Sequence, residues 1–197
     1  MQRGLIGVLI TVFCLAALAS AGEVFNGNFT GDFAPANWTL SNDNGGDGYQ
    51  VVNSSTSVSV YGANNGGGGD FIAQEVGSNY TAFTITAPTT GTVDVSWLYN
   101  TYDCCGSYWD PAGYTINGAY YQLTVSNENA GVSQMGDVSF WVNQGDTFGF
   151  YVYSVDSCCG AGEITISPTA AIPEPSTVGY LLSGLAALWF ARRRAKR

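Results

Sequence analysis

Short runs of alternating apolar and polar residues dominate the chain between Tyr49 and Ser167: "YQVV", "SVSVY", "FIAQEV", "YTAFTIT", "GTVDVSWLY", "AYYQLTVS", "DVSFWVN", "DTFGFYVYS" and "GEITIS". Val93, Val95 and Trp97 share one face of their run, and Phe148, Phe150 and Val152 share one face of theirs. A two-residue period is the signature of a strand with one side buried. Turn formers separate the runs, as in "NDNGGDG", "ANNGGGGD" and "NQGD", and no run keeps the 3.6-residue period of a helix over a useful length. The pattern predicts an all-β fold, a single β-sandwich of jelly-roll type, with helix nearly confined to the two ends of the chain.

Those ends have a different chemistry. Met1 to Ala21 has Arg3 in a short polar head, an apolar stretch from Leu5 to Ala19, and Ala19-Ser20-Ala21 as a small-residue cleavage site. This is the layout of a secretory signal helix over 1–21, with Cys14 leaving alongside it. The sandwich is then expected over 22–168, a linker with Pro-Glu-Pro over 169–177, an apolar membrane segment over 178–191 and a basic cytoplasmic tail over 192–197.

All six basic residues lie in the two ends, so Gly22 to Ile172 holds no Lys and no Arg, and the chain has no His. Of fifteen acids only Glu174 falls outside that stretch, leaving fourteen and a formal charge of −14. Such a surface repels phosphate backbones, which argues against nucleic-acid binding. It also removes the imidazole base, the Schiff-base amine and the nitrogen ligands of zinc. Carboxylate-only chemistry of the glycosidase type survives that filter, yet no pair of acids is marked for it, and the chain reads as a non-enzyme.

Two segments echo each other: "YNTYDCCGS" from Tyr99 and "YSVDSCCGA" from Tyr153. Cys104, Cys105, Cys158 and Cys159 are four thiols in an exported chain, an even count that reads as disulfides. A bridge between sequence neighbours sets the Cα atoms about 3.8 Å apart, below the roughly 4.4 to 6.8 Å that disulfides prefer. Two bridges between the loops are therefore the favoured pairing, with a four-cysteine metal site as the competing reading. Bridged loops require the preceding strands to end at one rim without being immediate neighbours in a sheet.

Beside that rim, "CCGSYWDPAGYTING" places Tyr108, Trp109 and Tyr114 in an expected loop, where aromatic faces can stack on sugar rings or fold back over the core. No cofactor is expected; calcium is the one the composition leaves room for, as a counter-ion to which Asp103, Asp146 and Asp156 could contribute. "DNGGDG" from Asp43 is not an EF-hand, because its third position is Gly45 and its twelfth Ser54.

The C-terminal segment, Val178 to Ala191, is about 21 Å long as a helix against a hydrocarbon core of about 30 Å. Arg192, Arg193 and Arg194 would hold its end at the cytoplasmic face. "IPEPSTVGYLLSGLAALWFARRRAKR" resembles the PEP-CTERM sorting signal of Gram-negative bacteria, through Pro173, Glu174, Pro175 and Ser176, the apolar segment and the arginine cluster. The resemblance covers about the last twenty-six residues and implies processing near the motif by an exosortase, a membrane-embedded enzyme of organisms that build an exopolysaccharide and biofilm matrix. It makes the chain a substrate, tethered to the inner membrane and then delivered to the cell surface or matrix. "NGNFTGDFAPANWTLS" and "NQGDTFGFYVYSVDSCCGAGEITIS" are similar to jelly-roll ectodomains found with such tails. The ectodomain is expected to be structural or adhesive; a carbohydrate-binding module is the alternative and a carboxylate-only glycosidase the third reading.

Overall fold

The computed structural model describes residues 22–66 and 78–169, so the leader, the run "FIAQEV", the Pro-Glu-Pro motif, the membrane segment and the basic tail lie outside the described residues. Two sheets stack face to face. The first contains β1 (Glu23–Phe25), β3 (Tyr49–Ser54), β4 (Ser57–Tyr61), β6 (Gly91–Thr101), β9 (Ser133–Val142) and β11 (Gly162–Pro168). The second contains β2 (Thr39–Asn42), β5 (Asn79–Thr86), β7 (Ala112–Ile116), β8 (Ala119–Gln122) and β10 (Thr147–Ser154), in the order β2-β5-β10-β7-β8. This is the expected β-sandwich. Its described helix is limited to two 3₁₀ turns, Gly31–Phe33 and Pro35–Asn37, and no helix of the described residues is long and apolar enough to cross a membrane.

β6 organises the first sheet. One edge pairs with β9 from Gly91 to Asn100, and the other pairs with β11 from Val95 to Thr101 and, in parallel, with β1 at Thr92 and Val93. Its alternation does what the sequence implies: Val93, Val95, Trp97 and Tyr99 are buried while Asp94, Ser96 and Leu98 face outward. β11 then pairs with β4, and β4 with β3. The chain passes from one sheet to the other at every connection except the β3–β4 and β7–β8 hairpins.

β1, β2 and β7 are strands that the alternating runs do not announce. "AYYQLTVS" is cut short in turn, because the Leu123 and Thr124 N–H groups donate to the Ala112 carbonyl (2.9 and 3.2 Å) and end β8 at Gln122.

One end of the sandwich is closed by an aromatic plug from the segment before β2. Trp38 stacks on Phe83 at 5.0 Å between ring centres and packs edge-on against Phe25 (5.3 Å) and Phe148 (5.8 Å). Its Nε1–H donates to the Phe33 carbonyl at 2.9 Å, so the 3₁₀ turns that precede it also satisfy it. Gly27 lets this segment cross the sheet end: its φ is +81°, and a Cβ there would sit 2.3 Å from the Ser167 carbonyl carbon. Replacing Trp38 by Ala removes the shared ring of this cluster and should lower the unfolding free energy by about 3–5 kcal/mol in a urea titration. A loss under about 1 kcal/mol would show that the plug is not part of the core.

Candidate functional site

The opposite end carries the two cysteine loops. β6 and β10 finish there, in different sheets, and their following loops touch through the main chain. The Tyr102 N–H donates to the Ala161 carbonyl (3.0 Å), and the Cys104 N–H to the Cys159 carbonyl (3.3 Å). Gly160, with φ +127°, permits the approach, since a Cβ there would lie 2.0 Å from the Tyr102 carbonyl oxygen. The rim and strand directions expected from sequence are therefore found. The sulfurs are arranged otherwise: all four thiols are free, Cys104 Sγ is 3.1 Å from Cys105 Sγ, and Cys158 Sγ is 2.6 Å from Cys159 Sγ. The expected cross-loop bridges are not what the side chains form.

Each loop is folded by its own aspartate. Asp103 Oδ1 accepts from the Cys105 N–H and Asp156 Oδ1 from the Cys158 N–H (3.2 Å), two Asx turns that explain the Asp in each echo. The hydrogen bond with Cys104 pushes the Cys105 thiol up to about 11, and contact with Cys159 pushes Cys158 up as well.

The expected calcium set is not assembled. Asp146 sits before β10 and accepts from Asn117 Nδ2 (2.9 Å) and the Asn143 N–H (2.7 Å), whereas Asp156 follows the far end of that strand. An eight-residue strand separates them by about 26 Å. Among the described residues the one group of potential ligands whose donor atoms lie within 4.8 Å of each other is Asp103, Cys104 and Cys105.

The rim aromatics divide. Tyr108 is exposed and meets the Trp109 ring edge-on at 5.4 Å. Tyr114 lies within β7 and not in a loop, where it stacks on Phe140 (4.3 Å) and Tyr121 (4.9 Å).

A second aromatic group forms on the outer face of the first sheet. Cross-strand register sets Ser133, Asn100, Glu163, Tyr61 and Tyr49 side by side on β9, β6, β11, β4 and β3. Tyr49 and Tyr61 stack at 4.5 Å with an 8° interplanar angle. Tyr102, 60 % exposed, donates its hydroxyl to Glu163 Oε2 at 2.9 Å, and Thr165 Oγ1 donates to Oε1 at 3.2 Å. Ser133 Oγ donates to Asn100 Oδ1 at 2.6 Å. Hydrogen bonding to Glu163 raises the Tyr102 phenol; burial, then Glu163, raises that of Tyr61. Five strands at about 4.8 Å spacing give a track about 19 Å long, polar at one end and aromatic at the other.

This row escaped the sequence reading because its members are brought together by register alone. The local signal was outward placement: Ile164 and Ile166 take the core and leave Glu163 and Thr165 outside.

The outer face of the second sheet has its own tyrosines. Tyr80 contacts Tyr120 at 4.0 Å and Tyr153 at 4.4 Å, over a nearly buried Tyr151.

No family model matches the chain, and no curated protein matches it. Among solved structures, a family 35 carbohydrate-binding module from Clostridium thermocellum is 14 % identical, with a TM-score of 0.35, over 68 % of this chain and 95 % of that one. TmCBM61 in complex with β-1,4-galactotriose is 14 % identical, with a TM-score of 0.38, over 72 % and 91 %. The Podospora anserina GH26-CBM35 β-(1,4)-mannanase is 18 % identical, with a TM-score of 0.31, over 70 % and 29 %. Similarity at this level assigns neither ligand nor activity.

Behind the cysteine rim lies a buried acid. Asp110 is fully buried; Ser154 Oγ donates to its Oδ1 at 2.6 Å, while Oδ2 has no hydrogen bond. Burial pushes its carboxyl up to about 8, reinforced by the charges of Asp103 and Asp156 and offset in part by Ser154 and the Gly162 N–H. The unfolded chain ionises this group near 3.9, so its contribution to stability is complete below that pH and is lost as pH rises towards 8. The thermal midpoint should fall between pH 5 and pH 8. Asp110→Asn should flatten that slope and stabilise the protein by about 1–3 kcal/mol at pH 8. An unchanged slope in the variant would contradict the assignment.

Proposed function

We propose that this chain is an exported, non-enzymatic β-sandwich of jelly-roll winding that binds neutral matrix glycan and is sorted by its PEP-CTERM-like tail. The segment 178–191 tethers it to the inner membrane until an exosortase acts near Pro173–Ser176, after which it passes to the cell surface or exopolysaccharide matrix.

The row Ser133–Asn100–Glu163–Tyr61–Tyr49 supports the glycan reading. Aromatic faces stack on pyranose rings, while carboxylates, amides and hydroxyls hydrogen-bond sugar hydroxyls. Tyr49 and Tyr102 are exposed enough to supply the faces, and Glu163, nearly buried among hydroxyl donors, is held in place to accept from a sugar. With fourteen acids and no cation between Gly22 and Ile172, the surface discriminates against uronate-rich or sulfated chains. A track about 19 Å long spans several sugar units, so affinity should grow with oligosaccharide length before reaching a plateau.

The test is retention of neutral and anionic polysaccharides by the purified protein, alongside Tyr49→Ala, Tyr102→Ala and Glu163→Gln. Retention of a neutral glycan is expected, weakened about tenfold or more by each substitution at an unchanged thermal midpoint, with anionic chains excluded. Failure to retain any neutral glycan, or retention indifferent to all three substitutions, would overturn the reading.

A further inference from the structure

The four cysteines of the two Cys-Cys-Gly loops have no part in the glycan track, yet the chain shapes both loops closely. On an extended backbone neighbouring side chains point to opposite faces. Here neighbouring sulfurs are brought into contact, Cys104 to Cys105 and Cys158 to Cys159. In the second loop Ser157 (φ +53°) and Cys159 (φ +67°) are left-handed, a conformation that residues with a Cβ adopt rarely and at a cost of about 1–3 kcal/mol each. In the first, the Asx turn of Asp103 folds Cys104 and Cys105 back on themselves. Contact between the loops is made by main chain, through the Cys104 N–H and the Cys159 carbonyl.

We propose that each pair closes on itself, giving two vicinal disulfides, Cys104–Cys105 and Cys158–Cys159, on one rim of the sandwich. Each closure breaks two S–H bonds and forms one S–S bond. The two protons and two electrons pass to a disulfide-bearing oxidant, whose S–S bond is broken by thiolate exchange and whose two sulfurs leave as thiols. A ring within one dipeptide encloses almost no chain, so it adds little to stability. Its Cα separation of about 3.8 Å is short for a disulfide, so the bond is strained and open to reduction. The rim is thus a reducible surface element beside exposed Tyr102 and Tyr108 and not a staple between the sheets.

The full-length chain, purified in detergent and oxidised with glutathione disulfide, tests the pairing independently of whether the protein is exported. The chain has no Lys or Arg between Gly4 and Ala191, so trypsin cannot separate the loops and chymotrypsin is used under non-reducing conditions. Separate peptides carrying each pair, each lighter than its reduced form by two hydrogens, are the expected result. Reduction should then move the thermal midpoint by less than about 2 °C, whereas opening a cross-loop bridge around more than fifty residues would lower it by roughly 10 °C. Cys105→Ser should leave Cys104 as the one alkylatable thiol of the two loops, beside Cys14 of the leader, with the second ring intact. A peptide joining the two loops, a free thiol at Cys158 or Cys159 in that variant, or four thiols that resist oxidation would overturn the proposal.

Discussion

The described domain has no Lys, Arg or His, so the carboxylates that pin its loops and strands are held without a cation. Asp43 accepts from the Tyr80 N–H, Asp47 from the Asn64 N–H, Asp146 from Asn117 and Asn143, Asp110 from Ser154, and Glu163 from Tyr102 and Thr165. Asp103 and Asp156 accept from the N–H groups of their own loops. A neutral donor stabilises a carboxylate only when it is fixed in place, so the acids do structural work at the points where loops are pinned. Where fixation is incomplete, as at Asp110, burial dominates and the proton stays on.

That constraint distributes roles over the sandwich. One end is sealed by Trp38 and its aromatic neighbours, and the other is left to loops folded by Asx turns. Between them, the paired run of β9, β6, β11, β4 and β3 aligns side chains that are remote in sequence. Glu163 gains its Tyr102 donor because β11 pairs with β6, whose chain continues into Tyr102, and its Thr165 donor from two residues along the same strand. The exposed tyrosines on this face and its lack of cations favour stacking and neutral hydrogen bonding, the modes the proposed glycan binding would use.

The sandwich was legible where alternation was strong, as in β6, whose Val93, Val95 and Trp97 are buried on one side. It was not legible where strands are three or four residues long, as in β1 and β2, or where Gly and Pro obscure the period, as around β7. Gly113 stands in β7 because a Cβ there would lie 2.0 Å from the Tyr121 carbonyl oxygen, and the same glycine made the segment read as a loop. Placing Tyr114 in that loop followed from the same signal. The meeting of the two cysteine loops could be read from their shared pattern, whereas the sulfur contacts depend on left-handed residues that composition does not announce. The Glu163 row needs the register of strands over a hundred residues apart, which no local pattern encodes.

The acidic sandwich and the Pro-Glu-Pro tail make sense together if the domain is made on one side of a membrane and released on the other. The mass of the mature protein from its native cells, mapped to both termini, tests this most directly. The account predicts an N-terminus near Gly22 and a C-terminus near Pro175, with the arginine cluster gone. A chain still ending at Arg197 would contradict it and leave the protein as a retained membrane anchor.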